Sequence, residues 1–462
     1  MRYFSVILLL ALAACSSPSS DPATPLDVTS HLSGRVAIAD TLGLELSDVN
    51  VLVLNNSDGV VDTLAAFAVQ SDSTFGGDVP APERGVYPLV IRIGGETIQI
   101  TDLVVADGDS ATVVARIPAD RRMRIRSREN DGWMAYRNTR AQFDAQLEAA
   151  RDELQDGADA SQVEQRIGRA AVQTAGILWS LRENFPGTVG AELASAEAIA
   201  MLEGVDDALA LERVGEIEPV NVAYATVARA ARRSAARTGG QEAAISLLER
   251  MRDGAARSAD AAAIQAEIVR ARLDSLQKDE ALAAADVLKR SYAEGEWGAW
   301  AERASYEASN LLSGMRAPAI RTQTVRGDQV SLASLNGRFV VLEFFEPGES
   351  AYSAEVEGRA ALARLLEPQG VSFVSVAVGA DTLLARAFFD QIPMTGARVI
   401  AKGGFDSDIA KAYNVRTTPV RYLIDRKGHL VGKYVGPSLG VLQSDLFALL
   451  AAPSEEADET AL

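Results

Sequence analysis

The sequence predicts a multidomain chain: a β-sandwich, then an α-helical array, then an α/β domain. Three observations carry this. Short β-branched runs broken by Gly, Asp, Asn and Pro fill residues 31–119. Residues 120–316 turn rich in Ala, Glu, Arg and Leu at helical spacing, and residues 317–451 alternate apolar runs with helical segments. A length of 462 residues suits about three domains at roughly 100–200 residues each. Hydrophobic residues make up 48% and charged residues 23%, close to ordinary globular usage, which disfavours wholesale disorder and a many-span membrane protein. The net charge of −18 repels phosphate backbones and argues against nucleic acid as a partner.

The chain opens with Arg2, an apolar run from Val6 to Leu12, and Leu12-Ala13-Ala14-Cys15 before a Ser/Pro-rich stretch. The run is too short to span a bilayer, which takes about 20 residues. A Leu, two small residues and a Cys in this setting resemble the bacterial lipoprotein signal. That resemblance implies a signal peptide over 1–14, lipidation at Cys15 and a flexible tether over 15–30. The protein would then be membrane-anchored on the non-cytoplasmic side of a bacterial cell envelope. Cys15 is the only cysteine of the sequence, so an intramolecular disulfide, a Cys-based zinc site and an iron–sulfur cluster are excluded. With His31 and His429 as the only histidines, a His-rich metal site is excluded as well.

Strands are expected at Val36–Ile38, Val49–Leu54, Tyr87–Ile93, Thr97–Ile100 and Thr112–Ile117, and an antiparallel sandwich follows from them. Gly34, Asp72-Ser73-Thr74-Phe75 and Gly85-Val86-Tyr87 resemble the small transthyretin-like sandwiches of envelope proteins, which implies a spacer or protein-contact role over 31–119. The arginines at 121, 122, 124, 126 and 128 form a solvated junction, with an anion-binding role as the sharper alternative. Beyond it, Phe143, Leu147 and Leu154 share a helical face, as do Val163, Ile167, Ile177 and Leu181. Gln241 to Tyr292 reads as antiparallel helix pairs, punctuated by Gly239-Gly240, Gly254 and Gly295. Trp297 and Trp300, three apart, fit core packing better than a ligand platform.

In the last third, Phe339–Phe345 and Val371–Val378 are expected as buried strands and Asp406–Tyr413 as a helix. Tyr422–Asp425 and Leu430–Val435 form a hairpin whose tip exposes His429, and a helix from Gly440 to Ala451 closes the domain. Ala317-Pro318, Leu335-Asn336-Gly337, Val340 to Phe345, Val415-Arg416-Thr417-Thr418-Pro419 and Leu423-Ile424-Asp425 together resemble the thioredoxin-like fold, in particular TlpA-like reductases and their AhpC/TSA peroxiredoxin relatives. In that family the strand ending in two aromatics leads to Cys-x-x-Cys at a helix N-terminus, where the dipole lowers a thiol pKa. Here the segment Phe344 to Ser353 puts Glu349 and Tyr352 at the two cysteine positions; a peroxiredoxin-style alignment points to Ser353 instead. Either way no catalytic residue is expected, because neither Glu nor Ser shuttles electrons.

The resemblance further implies that Pro419 is a cis-proline and that the Thr418 backbone is free to pair with an extended peptide, with Tyr352 at the mouth of that groove. Glu343 is expected as a buried acid whose pKa rises by desolvation, structural rather than a proton shuttle. Glu346, Glu349 and Glu355 could face a cation, although such spacing is ordinary at a solvated helix start. No metal or cofactor site is expected. Residues 452–462 read as an acidic disordered tail. The leading expectation is an interaction protein that presents a redox-inactive thioredoxin-like domain to an envelope protein or extended peptide. The rival is a thiol-disulfide oxidoreductase or antioxidant enzyme supplied by an external thiol or cofactor.

Overall fold

A computed structural model describes residues 28–39, 45–57, 60–118, 123–293, 296–379, 381–392 and 394–451. The expected signal peptide, Cys15, Arg121, Arg122 and the acidic tail lie outside the described residues. The chain forms two compact units. One runs up to Val205 and takes in Asn221–Ala223; the other joins Asp206–Val220 to everything from Tyr224 on.

The first unit begins with eight strands: β1 (Val28–Ile38), β2 (Val49–Ser57), β3 (Val60–Ala68), β4 (Thr74–Ala81), β5 (Gly85–Ile93), β6 (Glu96–Val105), β7 (Ser110–Ile117) and β8 (Arg124–Arg126). They make two four-stranded sheets, in the orders β4-β1-β7-β8 and β3-β2-β5-β6. Strict alternation in β7 sends Ala111, Val113, Ala115 and Ile117 into a core shared with Val36, Val51, Leu89 and Leu103. The expected all-antiparallel sandwich needs one correction: β1 and β7 pair in parallel, His31 to Ser110 through Ile38 to Ile117. A parallel pair needs a long connection, and β2 to β6 supply it. β1 also starts at Val28, inside the stretch expected as tether.

β3 and β4 escaped the sequence reading. β3 is an outer strand rich in Ala, mostly exposed, and shows no alternation; β4 opens Thr-Phe-Gly-Gly. Arg124 and Arg126 are exposed on β8, and Arg128 donates to the Pro186 carbonyl at 2.9 Å, in keeping with a solvated junction. Three helices complete this unit: α1 (Arg128–Gln155), α2 (Ala160–Asn184) and α3 (Val189–Leu202), whose N-termini are capped by the side chains of Ser127, Asp159 and Thr188.

The second unit starts with α4 (Asp207–Val214), α5 (Tyr224–Gly239), α6 (Gln241–Gly254), α7 (Ser258–Asp274), α8 (Lys278–Ser291) and α9 (Glu296–Asn310), successive helices packed on one another. The helical stretch is thus shared between the two units. Trp297 and Trp300 pack edge to face, 6.2 Å apart, against Ala266, Leu288 and Ala301, as core packing requires.

A short hairpin follows, β9 (Arg321–Gln323) with β10 (Gln329–Ser331). The rest is β11 (Phe339–Phe345), α10 (Ser350–Leu366), β12 (Val371–Ala377), α11 (Thr382–Gln391), β13 (Ala397–Ile400), α12 (Asp408–Ala412), β14 (Val420–Ile424), β15 (Leu430–Val435) and α13 (Leu439–Ala451). The sheet order is β13-β12-β11-β14-β15; β11 to β13 run parallel, and β14 and β15 run antiparallel. β11 is buried at all seven positions because both faces are covered. Val340, Leu342 and Phe344 enter one core; Phe339 and Val341 join Leu362 of α10 and Leu442 of α13 in the other. Helix α9 docks on this α/β part through Tyr306 Oη to the Ala412 carbonyl at 3.0 Å and Lys433 Nζ to Glu307 at 2.6 Å. No described helix is long and apolar enough to cross a membrane.

Candidate functional site

β11, β12 and β14 lie side by side, and their register aligns Glu343 with Ser375 on one neighbour and Arg421 on the other. Strand alternation points Glu343 to the face covered by α10, which adds Tyr352, Glu355 and Arg359. Glu343, Arg359, Ser375 and Arg421 are all fully buried. Arg359 donates to Glu343 Oε1 at 2.7 Å, to Ser375 Oγ at 2.7 Å and to the Thr395 carbonyl at 3.0 Å; Ser375 Oγ donates to the same Glu343 oxygen at 2.6 Å. Arg421 is bonded to Glu355 at 2.7 Å, while its Nε stands 3.6 Å from Glu343 Oε2.

The expected rise in the Glu343 pKa does not hold. Burial does push its carboxyl up, but the charges of Arg359 and Arg421, with the Ser375 and Arg359 hydrogen bonds, outweigh it and hold the group below the ordinary carboxylate value. Glu343 is therefore an ionised anchor with no proton to pass on.

Tyr352 is not at a mouth. Its ring is 1% exposed and stacks on Phe345 at 4.1 Å with a 10° tilt. Burial foremost, then the Glu343 charge, pushes its phenol well above the usual value. Its hydroxyl is buried beside the Glu343 carboxylate, and Arg421 Nε and Nη1 are buried without a hydrogen-bond partner. The space below the helix start, where the resemblance expects a dithiol, is thus filled by an aromatic stack on top of a buried ion cluster.

Glu349 is the N-cap residue of α10, although its side chain makes no capping bond and its Oε2 is buried and unpartnered. Ser353 is exposed. Glu346 and Glu349 are half-buried, and Glu355 is engaged by Arg421 and the Leu439 N–H, so the three carboxylates do not present a shared free face. No cluster of three His, Cys, Asp or Glu suited to a metal occurs among the described residues. His429 is part-exposed at the hairpin tip, its Nδ1 3.5 Å from Asp425.

On the loop before β14, the Thr418–Pro419 peptide is cis. Pro419 is buried and its carbonyl accepts from the Gly436 N–H at 2.8 Å; Thr417 is exposed and Thr418 half-buried. Neither the N–H nor the carbonyl of Thr418 has a partner among the described residues. Sequence reasoning singled out Glu343, Thr418 and Pro419 but missed Arg359, Ser375 and Arg421. Arg421 could have been found: it interrupts the apolar run Val420 to Ile424 as Glu343 interrupts Phe339 to Phe345.

Sheet order and the crossing helix give this part of the chain a thioredoxin-like fold. No family model matches the chain. A stretch of 130 residues is 28% identical to the thioredoxin-like protein YneN of Bacillus subtilis (strain 168), covering 27% of this chain and 73% of that protein. Among solved structures, the putative thiol:disulfide interchange protein DsbE from Chlorobium tepidum is 24% identical, with 31% of this chain and 100% of that one covered and a TM-score of 0.29. A secreted disulfide oxidoreductase of Mycobacterium tuberculosis is likewise 24% identical, with 29% and 96% covered and a TM-score of 0.25. The curated similarity is thus to a thioredoxin-like protein and covers about a quarter of this chain.

Proposed function

We propose that this thioredoxin-like domain binds extended protein segments and transfers no electrons. The observation that carries the reading is the unpartnered main chain of Thr418 beside Pro419. One donor and one acceptor there are placed to bond a peptide backbone. What supports the absence of redox chemistry is the sequence, whose only cysteine is Cys15, together with the stack of Tyr352 on Phe345. Thiol-disulfide exchange starts from a thiolate, and this domain has none. The Leu12 to Cys15 box supports a lipid-anchored protein on the non-cytoplasmic side of a bacterial envelope, with the sandwich and helices as spacer and contact modules.

Two measurements test this. A Cys15→Ser chain should speed neither insulin reduction nor peroxide consumption above the rate with dithiothreitol alone; a rate above that background would overturn the redox-inactive reading. A photoreactive amino acid at position 418 should cross-link to extended peptides, and competition by unlabelled peptide should abolish the product. A product that resists competition overturns the groove.

A further inference from the structure

A cleft of about 720 Å³ opens within the second unit, with Thr417 and Val420 in its lining. Its walls are the C-terminal end of α7, helix α9, the Leu311–Ser313 segment, the loop residues Asn414, Arg416 and Thr417, and strand β15. The volume falls within the roughly 300–1,000 Å³ of ligand clefts.

Three properties bear on what it holds. The first is charge. Four cations line it (Arg270, Arg303, Arg416 and Lys433) against two anions (Asp274 and Glu307), in a chain of net charge −18. Lys433 is held by Glu307 and Arg270 by Glu267, whereas Arg303 and Arg416 have no ion pair among the described residues. The second is main chain. β15 is the outer strand of its sheet, and the Gly436 N–H bond to the Pro419 carbonyl fixes its phase. In the observed register, Tyr434 and Gly432 then turn their backbone groups toward β14, while Lys433 and Val435 turn theirs outward. Leu430, earlier on the strand, already bonds Gly314 and Met315. The third is apolar surface: Leu276, 53% exposed and at φ 57°, and Val435, 56% exposed, border the cleft beside Trp300. Leu276 takes that φ just past the end of α7, where its N–H bonds the Leu273 carbonyl and the Gln277 N–H bonds the Arg272 carbonyl, an ordinary way for a helix to end.

We propose that this cleft binds an acidic peptide in extended conformation as a sixth strand on β15. The peptide main chain bonds the outward groups of Lys433 and Val435, and its alternate carboxylates, on the face of the added strand that looks into the cleft, meet Arg303 and Arg416. Edge-strand addition gives affinity through the main chain and selectivity through alternate side chains. Electrostatic complementarity to an otherwise acidic molecule sets which peptides enter. This inference is independent of any role for Thr418.

The test is fluorescence anisotropy with the full chain and a fluorescein-labelled hexapeptide alternating glutamate with valine, beside its glutamine counterpart. Saturable binding is expected for the acidic peptide, weakened at least about tenfold for the glutamine peptide and for the Arg303→Gln/Arg416→Gln variant. Val435→Pro deletes an outward N–H that no strand uses; it should weaken binding while circular dichroism stays unchanged. Equal affinity for both peptides, or an arginine variant that binds as the parent does, overturns the proposal. So does competition by free glutarate at the same concentration as unlabelled peptide, which would mark a site for small organic acids.

Discussion

Replacing Glu343 by Leu removes the only charge that Arg359 meets in the core. Arg359 would keep Ser375 at 2.7 Å and the Thr395 carbonyl at 3.0 Å, but it would be a cation at 0% side-chain exposure without a counter-ion. Arg421 keeps Glu355 at 2.7 Å and stays paired. One uncompensated buried charge costs about 3–5 kcal/mol. At about 1.4 kcal/mol per decade, amides of β11, β12 and β14 should exchange on the order of a hundred- to a few-thousand-fold faster in Glu343→Leu. Hydrogen exchange read by mass spectrometry isolates these strands from the rest of a two-unit chain, where a global unfolding midpoint would not. The double variant Glu343→Leu/Arg359→Met removes both charges of the pair and should recover most of the loss, because apolar replacement of a buried ion pair is close to neutral. Unchanged exchange in the single variant, or a double variant as labile as the single, would refute the account of Glu343 as a paired structural anion.

Three further outcomes follow from the same geometry. The Glu343 carboxyl titrates below its ordinary value of 4.5, so its stabilisation is complete above that value and is lost as pH falls through the lower folded-state value; near-UV circular dichroism should fade on acidification, and Glu343→Gln should flatten that dependence. Tyr352→Phe removes a buried hydroxyl beside the Glu343 carboxylate and short of good bonding geometry, so protection of β11 against exchange should change by less than about tenfold; a larger loss would show a full hydrogen bond at that oxygen. In the first unit, a Cβ at Gly190 would stand 2.3 Å from the Trp133 nitrogen where α3 crosses α1, so Gly190→Ala should cost about 1–3 kcal/mol and lower the temperature at which the tryptophan near-UV signal melts.

The α/β part was the most legible because its strands are buried on both faces. A run such as Phe339 to Phe345 needs no partner to declare itself, and its observed bounds match those read from sequence. α11 and β13 were not read. α11 carries Leu383 and Leu384 exposed, so its apolar pattern overstates its buried face, and β13 has four residues. In the sandwich, the parallel pairing of β1 with β7 joins segments about 80 residues apart, and nothing local encodes it. The site divides the same way. Pro419 and Thr418 sit in a continuous motif, whereas Glu343, Ser375 and Arg421 meet only through register, which no single strand specifies.

That register also fixes the position of α10 from below. Arg359 ties α10 to β11, β12 and the Thr395 carbonyl, and Glu355 ties the same helix to β14 and to the first turn of α13. These charge-assisted bonds span three adjacent strands and two helices, so the position of α10 relative to the Thr418 loop is set from below and not by chemistry at its N-terminus. A scaffold fixed in this way holds α10 against β11, β12 and β14 through buried side chains. The two candidate sites share this loop: Thr417 and Val420, on either side of Thr418 and Pro419, line the cleft together with Arg416.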